Sequence, residues 1–255
     1  MMALVTNALV VDIPSRHPEP LDLTMEPGQI WGVLGPNGVG KTTLLHTLAG
    51  LISPRSGVVS WAQKPLPEWH RLALAQEIGV MFQEHQDGFP ATVLETALLG
   101  RFPYLSPWEM ESDEDMQMAK AALEYLDLEG LASRSISQLS GGERQRTALA
   151  ALLSQDPEMW LVDEPTNHLD LHHQVAVMRL LQRKAQADKL VVMSLHDVNL
   201  AATWCSHVLL LYPDGPARMG AAEELLTLEH LQPLYQQVLV QGELDGRLVF
   251  LPKVI

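Results

Sequence analysis

Gly35-Pro36-Asn37-Gly38-Val39-Gly40-Lys41-Thr42 fits the G-x-x-x-x-G-K-[ST] pattern of a phosphate loop. The apolar run Ile30-Trp31-Gly32-Val33-Leu34 before it reads as a buried strand. Thr42-Thr43-Leu44-Leu45-His46-Thr47-Leu48-Ala49-Gly50 after it reads as a helix closed by Gly50. Strand, glycine loop and helix are the context that the motif needs. Glycines let the backbone wrap an anion without Cβ clashes. The loop N–H groups and the helix N-terminus then face that anion. In this geometry Lys41 reaches the β- and γ-phosphates of a nucleotide, and the Thr42 hydroxyl is placed to ligate Mg²⁺.

Two further stretches carry chemistry. Trp160-Leu161-Val162-Asp163-Glu164 is an apolar strand ending in two carboxylates. Residues at strand C-termini of an α/β sheet meet at the ligand crevice. Asp163 there can hold Mg²⁺ through water, and Glu164 is placed to polarise an attacking water. The plain alternative is an exposed acidic strand end. Leu139-Ser140-Gly141-Gly142-Glu143 opens another helix, with an anion site like the first. It also reads as an ordinary serine N-cap, with Glu143 completing a capping box. The two readings are compatible, and local physics alone favours the plain cap.

The rest of the chain is organised around these stretches. Ala3 to Asp12 and Leu21 to Glu26 read as strands, Val58 to Trp61 and Ile78 to Phe82 as two more, with a short helix from about Pro67 to Ala75. Thr92-Val93-Leu94-Glu95 has capping-box spacing and starts a helix to about Gly100, with Pro103 as its stop. Ser106 to Asp115 is acidic and reads as a solvated loop with carboxylates at the N-terminus of the next helix. Asp113 to Leu126 has helical periodicity with Met116, Ala119, Leu123 and Leu126 in the core. Strands and helices alternate again from Leu139 to Tyr212, which indicates an α/β core with parallel sheet. Asp245-Gly246 between two apolar runs predicts a terminal hairpin.

The 255 residues suffice for one large domain. With 17 Lys and Arg against 31 Asp and Glu, the net charge is −14. That disfavours non-specific binding to nucleic acid or to anionic lipid, which need basic surface. The single cysteine, Cys205, fits a reducing compartment and reads as a small buried apolar residue. No apolar run approaches the length of a bilayer span, and the N-terminus lacks the basic region of a signal peptide, so a chain soluble by itself is expected.

Gly35 to Thr42, Gln83, Leu139 to Glu143, Asp163-Glu164, Leu169-Asp170 and His196 occur in the order of ABC-type ATP-binding cassettes. The chain resembles the nucleotide-binding subunit of an ABC transporter over nearly its full length. The resemblance implies a P-loop NTPase α/β core with an N-terminal antiparallel β-subdomain. It adds an α-helical subdomain over about residues 84–150, within one cassette spanning residues 1–255. It implies ATP and Mg²⁺ as cofactors. Gly35, Pro36, Asn37, Gly38, Val39, Gly40, Lys41, Thr42 and Thr43 would bind the nucleotide, and Thr42, Gln83 and Asp163 would serve the metal. Glu164, Lys41 and His196 would be catalytic, with His196 on the γ-phosphate. It further implies a homodimer in which Ser140, Gly141 and Gly142 complete the partner's site and Asp170 lies at the seam. The other partners would be transmembrane permease subunits and, indirectly, a substrate-binding protein, which puts the chain at the cytoplasmic face of the membrane. Nucleic acid is not an expected partner. One departure concerns the base: no Tyr, Trp or Phe occurs between Met1 and Gln29 to stack on adenine. His17 or Arg16 would stack instead, or base contact is weak.

Leu98-Leu99-Gly100-Arg101-Phe102-Pro103-Tyr104 and Leu169-Asp170-Leu171-His172-His173-Gln174 are similar to subunits that import iron–siderophore complexes, haem and cobalamin. Two other classes use the same cassette. DNA-repair and chromosome ATPases need a long coiled coil, for which Thr43 to Ser137 is too short. Ribosome-acting proteins need paired cassettes, and this chain has one phosphate loop. An exporter subunit shares all the motifs and is disfavoured only by the Arg101 region.

Overall fold

A computed structural model describes residues 2–13, 19–82, 90–106 and 108–253. Two compact units emerge: residues 1–69 with 181–255, and residues 70–180.

Unit 1 opens with β1 (Leu4–Val10), β2 (Thr24–Met25), β3 (Ile30–Leu34), α1 (Lys41–Leu48), β4 (Ser56–Trp61) and β5 (Lys64–Pro65). Unit 2 contains α2 (Arg71–Glu77), β6 (Ile78–Met81), α3 (Val93–Leu98), α4 (Asp113–Tyr125), α5 (Gly141–Gln155) and β7 (Met159–Val162). Helix α6 (Leu171–Gln186) begins in unit 2 and ends in unit 1. Unit 1 then resumes with β8 (Leu190–Ser194), α7 (Val198–Trp204), β9 (His207–Leu210), β10 (Arg218–Ala221), α8 (Ala222–Leu225), α9 (Leu228–Tyr235), β11 (Leu239–Leu244) and β12 (Arg247–Pro252).

The central strand of unit 1 is β3. It pairs in parallel with β8 on one side and β9 on the other, and β10 closes the far edge antiparallel to β9. All five of its residues are buried, as are all five of β8. Strands covered on both faces read as continuous apolar runs, as these do. The register sets Val33 opposite both Ser194 and Leu209. The chain segments leaving β3 and β8 therefore emerge at the same edge. A second, antiparallel sheet in order β2-β1-β4-β5 forms the N-terminal part. In unit 2, β6 and β7 are parallel, and α3 and α4 pack against α5.

Four local readings change in the structure. The strand expected over Leu21 to Glu26 shrinks to Thr24–Met25 plus a single bridge from Leu21 to Leu9. The cause is Thr6, whose hydroxyl donates to the Leu21 carbonyl and accepts from the Leu23 N–H, each at 2.8 Å, and so replaces ladder bonds. The helix expected from Pro67 is a 3-10 turn, Leu66–Glu68, followed by α2 after extended residues at Trp69 and His70. The helix capped by Thr92 ends at Leu98 and continues as a 3-10 segment, Leu99–Tyr104, that contains Pro103. The acidic stretch is not uniformly solvated: Asp115 is buried and paired with Arg101. The terminal hairpin forms as expected, with Asp245 and Gly246 both at positive φ, 51° and 73°. Those are the signs that a type I′ turn requires. No helix among the described residues is long and apolar enough to cross a membrane.

Cys205 lies against Gly32 in the middle of β3, and burial pushes its thiol up to about 12. A Cβ at Gly32 would sit 2.8 Å from its Sγ. Gly32→Ala should therefore cost about 1–3 kcal/mol in urea unfolding, as overpacking does. Adding Cys205→Ala should recover most of the loss, because it removes the atom that is struck.

Candidate functional site

The phosphate loop is built as its sequence requires. Strand β3 ends at Leu34, the loop crosses to Lys41, and α1 begins there with Gly40 at φ 106° as its N-cap. Gly35, at φ 153°, has the Leu211 carbonyl oxygen 2.5 Å from where a Cβ would stand. Asn37 and Gly38 are exposed at the tip, and Gly38 has a φ of 74°. The intrahelical ladder starts with the Leu44 N–H donating to the Gly40 carbonyl at 2.8 Å. The N–H groups of the turn before it, through Thr43, cannot be satisfied by that ladder and suit an anion. Lys41 is buried, and its Nζ donates to the carbonyls of Gly35 at 2.8 Å and Pro36 at 3.3 Å. The ammonium is thus held over the loop. A phosphate oxygen is a stronger acceptor than either carbonyl.

His196 follows β8 and is exposed. The Leu195 N–H donates to the Val33 carbonyl at 3.1 Å, which ties the His196 segment to the strand that carries the phosphate loop. Asp197 caps α7 by accepting from the Asn199 N–H at 2.7 Å. Beside the loop lies a pocket of about 400 Å³, whose walls include Val11, Ile13, Leu21, Val39 and Tyr212. The Ile13 side chain packs on Gly40. Arg16, His17 and Gln83 lie outside the described residues.

Unit 2 gathers the remaining candidates. Strand β7 is buried throughout and ends in Asp163 and Glu164, themselves 1% and 6% exposed. The Asp163 N–H donates to the Met81 carbonyl at 3.0 Å, continuing the pairing of β7 with β6. Glu164 has a φ of 50°, left-handed for a residue that is not glycine. Such strain persists where the surroundings over-determine the backbone. They do so here: the Gln145 amide donates to the Glu164 carbonyl at 2.8 Å, and the Asn167 amide donates to its carboxylate. One carboxylate oxygen is thereby anchored. Neither Gln145 nor Asn167 was marked from the sequence. The three-residue step from Glu164 to Asn167 across a turn was the available signal for the latter.

Ser140 is the N-cap of α5. Its Oγ accepts from the Glu143 N–H at 3.3 Å, and the Glu143 carboxylate accepts from the Ser140 N–H at 2.7 Å. That backbone bond, then the serine hydroxyl, holds the Glu143 carboxyl below its usual range. The plain-cap reading is therefore right, and both the backbone and the hydroxyl of Ser140 are engaged with Glu143. Gly142 approaches the chain after β7 so closely that a Cβ would lie 2.8 Å from the His168 carbonyl oxygen. Asp170 is largely exposed and accepts from the His173 N–H at 2.9 Å and Nδ1 at 2.8 Å, which lowers its carboxyl pKa.

The ABC transporter family matches residues 18–167, more than half of the chain. This chain belongs to that family. A hemin import ATP-binding protein of Myxococcus xanthus is 42% identical over 217 residues, covering 82% of this chain and 80% of that protein. One of Pseudomonas aeruginosa is 40% identical over 229 residues, 88% of each. A solved metal-chelate type ABC transporter, in an inward-facing conformation, is 30% identical with a TM-score of 0.85, covering 100% of this chain and 98% of that one. The ABC family binds ATP, and its fold is the α/β P-loop NTPase core with antiparallel and parallel sheets described above. As an ATP-binding subunit of an ABC transporter complex, the chain has membrane permease subunits as its partners.

Within this cassette the tie between Gln145 and Glu164 is directly testable. Gln145 is 5% exposed, and Gln145→Leu removes one of the two donors to the Glu164 carbonyl, leaving the Asn167 N–H at 3.2 Å. The expected cost is that of one hydrogen bond, about 0.5–1.5 kcal/mol in urea unfolding.

Proposed function

We propose that this chain is the ATP-hydrolysing subunit of an importer for haem or a chemically related metal chelate. The reading is carried by the 42% and 40% identity to two proteins named for hemin import. The Gly100 to Tyr104 pattern and the metal-chelate type structural relative support the broader cargo class. Ferric siderophores and cobalamin belong to that class and serve as comparison cargoes.

The residues take the following roles in this reading. The loop from Gly35 to Thr43 holds the phosphates, and Lys41 exchanges its loop carbonyls for β- and γ-phosphate oxygens. The Ile13 and Val39 side of the neighbouring pocket meets the nucleobase with aliphatic surface. The Thr42 hydroxyl, the Asp163 carboxylate and the Gln83 amide offer the oxygen donors that Mg²⁺ takes alongside waters and phosphates. Bound Mg²⁺ would supply positive charge to the phosphates as negative charge spreads. Glu164, with one oxygen anchored by Asn167, takes a proton from the water that attacks the γ-phosphorus, and ADP leaves. His196, at the sheet edge that carries the phosphate loop, contacts the γ-phosphate.

The second half of each site comes from a second copy of the chain. Ser140, with Gly141 and Gly142 at the N-terminus of α5, meets the partner's ATP, and Asp170 lies at the seam. Affinity for ATP is then expressed as dimer closure, and hydrolysis reopens the pair. The permease docks on unit 2. A groove of about 700 Å³ there is lined by Phe82, Leu99, Ala148, Ala151 and Leu152 among others. Phe82, Leu99 and Phe102 expose large apolar surface around it. Docking there places the chain at the cytoplasmic membrane face.

Vesicles carrying this chain with its permease, ATP outside and the binding protein inside, test the reading with hemin, a ferric siderophore and cobalamin in parallel. ATP-dependent movement of hemin from the lumen to the ATP side is expected, abolished by Lys41→Ala. Glu164→Gln should keep ATP binding while turnover falls by about 10²–10⁴. Movement of another chelate out of the lumen instead shifts the cargo within the class. Robust hydrolysis with no chelate moved would overturn the importer reading.

A further inference from the structure

Gly100-Arg101-Phe102-Pro103-Tyr104 lies outside every nucleotide motif, yet the structure binds it to one end of α5, the helix opened by the signature segment Leu139 to Glu143. Three of its residues reach the last turn of α5. A Cβ at Gly100 would collide with the Ala151 carbonyl, so the 3-10 segment rests directly on the helix. Arg101 Nη1 donates to the Ser154 carbonyl at 2.9 Å, and the Tyr104 hydroxyl donates to the Gln155 carbonyl at 2.8 Å. Last-turn carbonyls have no acceptor role within their own helix, and a cation is favoured beside them. Arg101 and Tyr104 together are thus the C-terminal cap of α5.

The cap is itself braced. Arg101 Nε donates to Asp115 Oδ1 at 2.8 Å, with the two side chains only 11% and 10% exposed. Asp115 stands in the capping box of α4, bonded to the Ser112 hydroxyl at 2.6 Å. That hydroxyl first, and Arg101 second, hold its carboxyl at about 2, so the pair stays ionised at neutral pH. The guanidinium also lies 4.1 Å over the Tyr104 ring. On the other flank, the Gln76 amide donates to the Pro103 carbonyl at 2.8 Å. The same 3-10 segment carries Leu99 and Phe102 on its outside, 63% and 65% exposed. One short element therefore joins an exposed apolar face to the C-terminal end of α5, and the N-cap of α5 is Ser140.

We propose that Arg101 and Tyr104 are a coupling latch: positioning residues that convert displacement of the 3-10 segment by the permease into movement of Ser140 at the far end of α5. The inference rests on the transport reading above. A hydrogen-bonded helix of 15 residues moves as a rod about 22 Å long. If the 3-10 segment moves, it must carry α5 along or break two carbonyl bonds and a mostly buried ion pair. Separating such a pair leaves each charge poorly solvated. Neither residue touches nucleotide, so the isolated subunit hydrolyses ATP without the latch.

The test compares ATP hydrolysis by the isolated subunit and by the same subunit with its permease in vesicles. The variants are Arg101→Ala, the milder Tyr104→Phe, and Arg101→Lys as the conservative rescue. Isolated-subunit kcat and KM should stay within about twofold of wild type for all three. Stimulation by the permease should fall at least about fivefold in Arg101→Ala, less in Tyr104→Phe, and return in part in Arg101→Lys. Undiminished stimulation in Arg101→Ala and Tyr104→Phe overturns the latch. Equal loss of isolated and stimulated activity, with a lower melting temperature, overturns it as well and leaves the cap a purely structural device. If wild-type hydrolysis is not stimulated at all, the transport reading fails and the latch falls with it. That outcome is told apart because it appears before any variant is made.

Discussion

Everything proposed for the signature segment depends on how closely α5 approaches the chain that follows β7. The contact of Gly142 with the His168 carbonyl leaves no space for any side chain. One turn further along, the Gln145 amide holds the Glu164 carbonyl. Glu164 and His168 both carry left-handed backbone, φ 50° and 61°, which only a surrounding of this rigidity sustains. Glu164, the proposed general base, and the Ser140 segment proposed to complete a partner's site are therefore fixed to one another. In the proposed mechanism a change in the position of Ser140 would be felt at Glu164. That linkage is what an ATPase needs if hydrolysis is to answer to dimer closure.

Unit 1 provides the complementary part, a cradle whose position is set by a single strand. Strand β3 is held from both sides, by β8 and β9, and its edge delivers the phosphate loop and His196 together. The packing of Cys205 into the space that Gly32 leaves keeps α7 close to that strand. The cradle is static in this account. Lys41 is already buried over the loop, so little reorganisation is required when phosphate arrives. Movement is assigned to the signature helix of unit 2 and not to the phosphate loop.

What the sequence made legible was short-range. The phosphate loop, the capping boxes at Thr92 and Ser140 and the Asp245-Gly246 turn each declare themselves within a few residues, because their physics is local. What it hid depends on partners far along the chain. Asp115 looks like one more solvated carboxylate until Arg101, 14 residues earlier, is placed beside it. Thr6 looks like an ordinary strand residue, yet its hydroxyl bonds both the Leu21 carbonyl and the Leu23 N–H. Gln145 reaches Glu164 from 19 residues away, and no periodicity marks it. The capping role of Arg101 and Tyr104 was similarly invisible, since the carbonyls they meet lie about 50 residues downstream.

The central claim is that ATP closes two copies of this chain around signature residues of one and the phosphate loop of the other. Light scattering on Glu164→Gln, with and without ATP and Mg²⁺, tests it most directly, because slow hydrolysis lets the closed state accumulate. The account predicts a species of twice the 28.2 kDa chain mass when ATP is present and of single mass without it, with the dimer lost when Ser140 is replaced by arginine. A Glu164→Gln chain that binds ATP yet remains at single mass would contradict it.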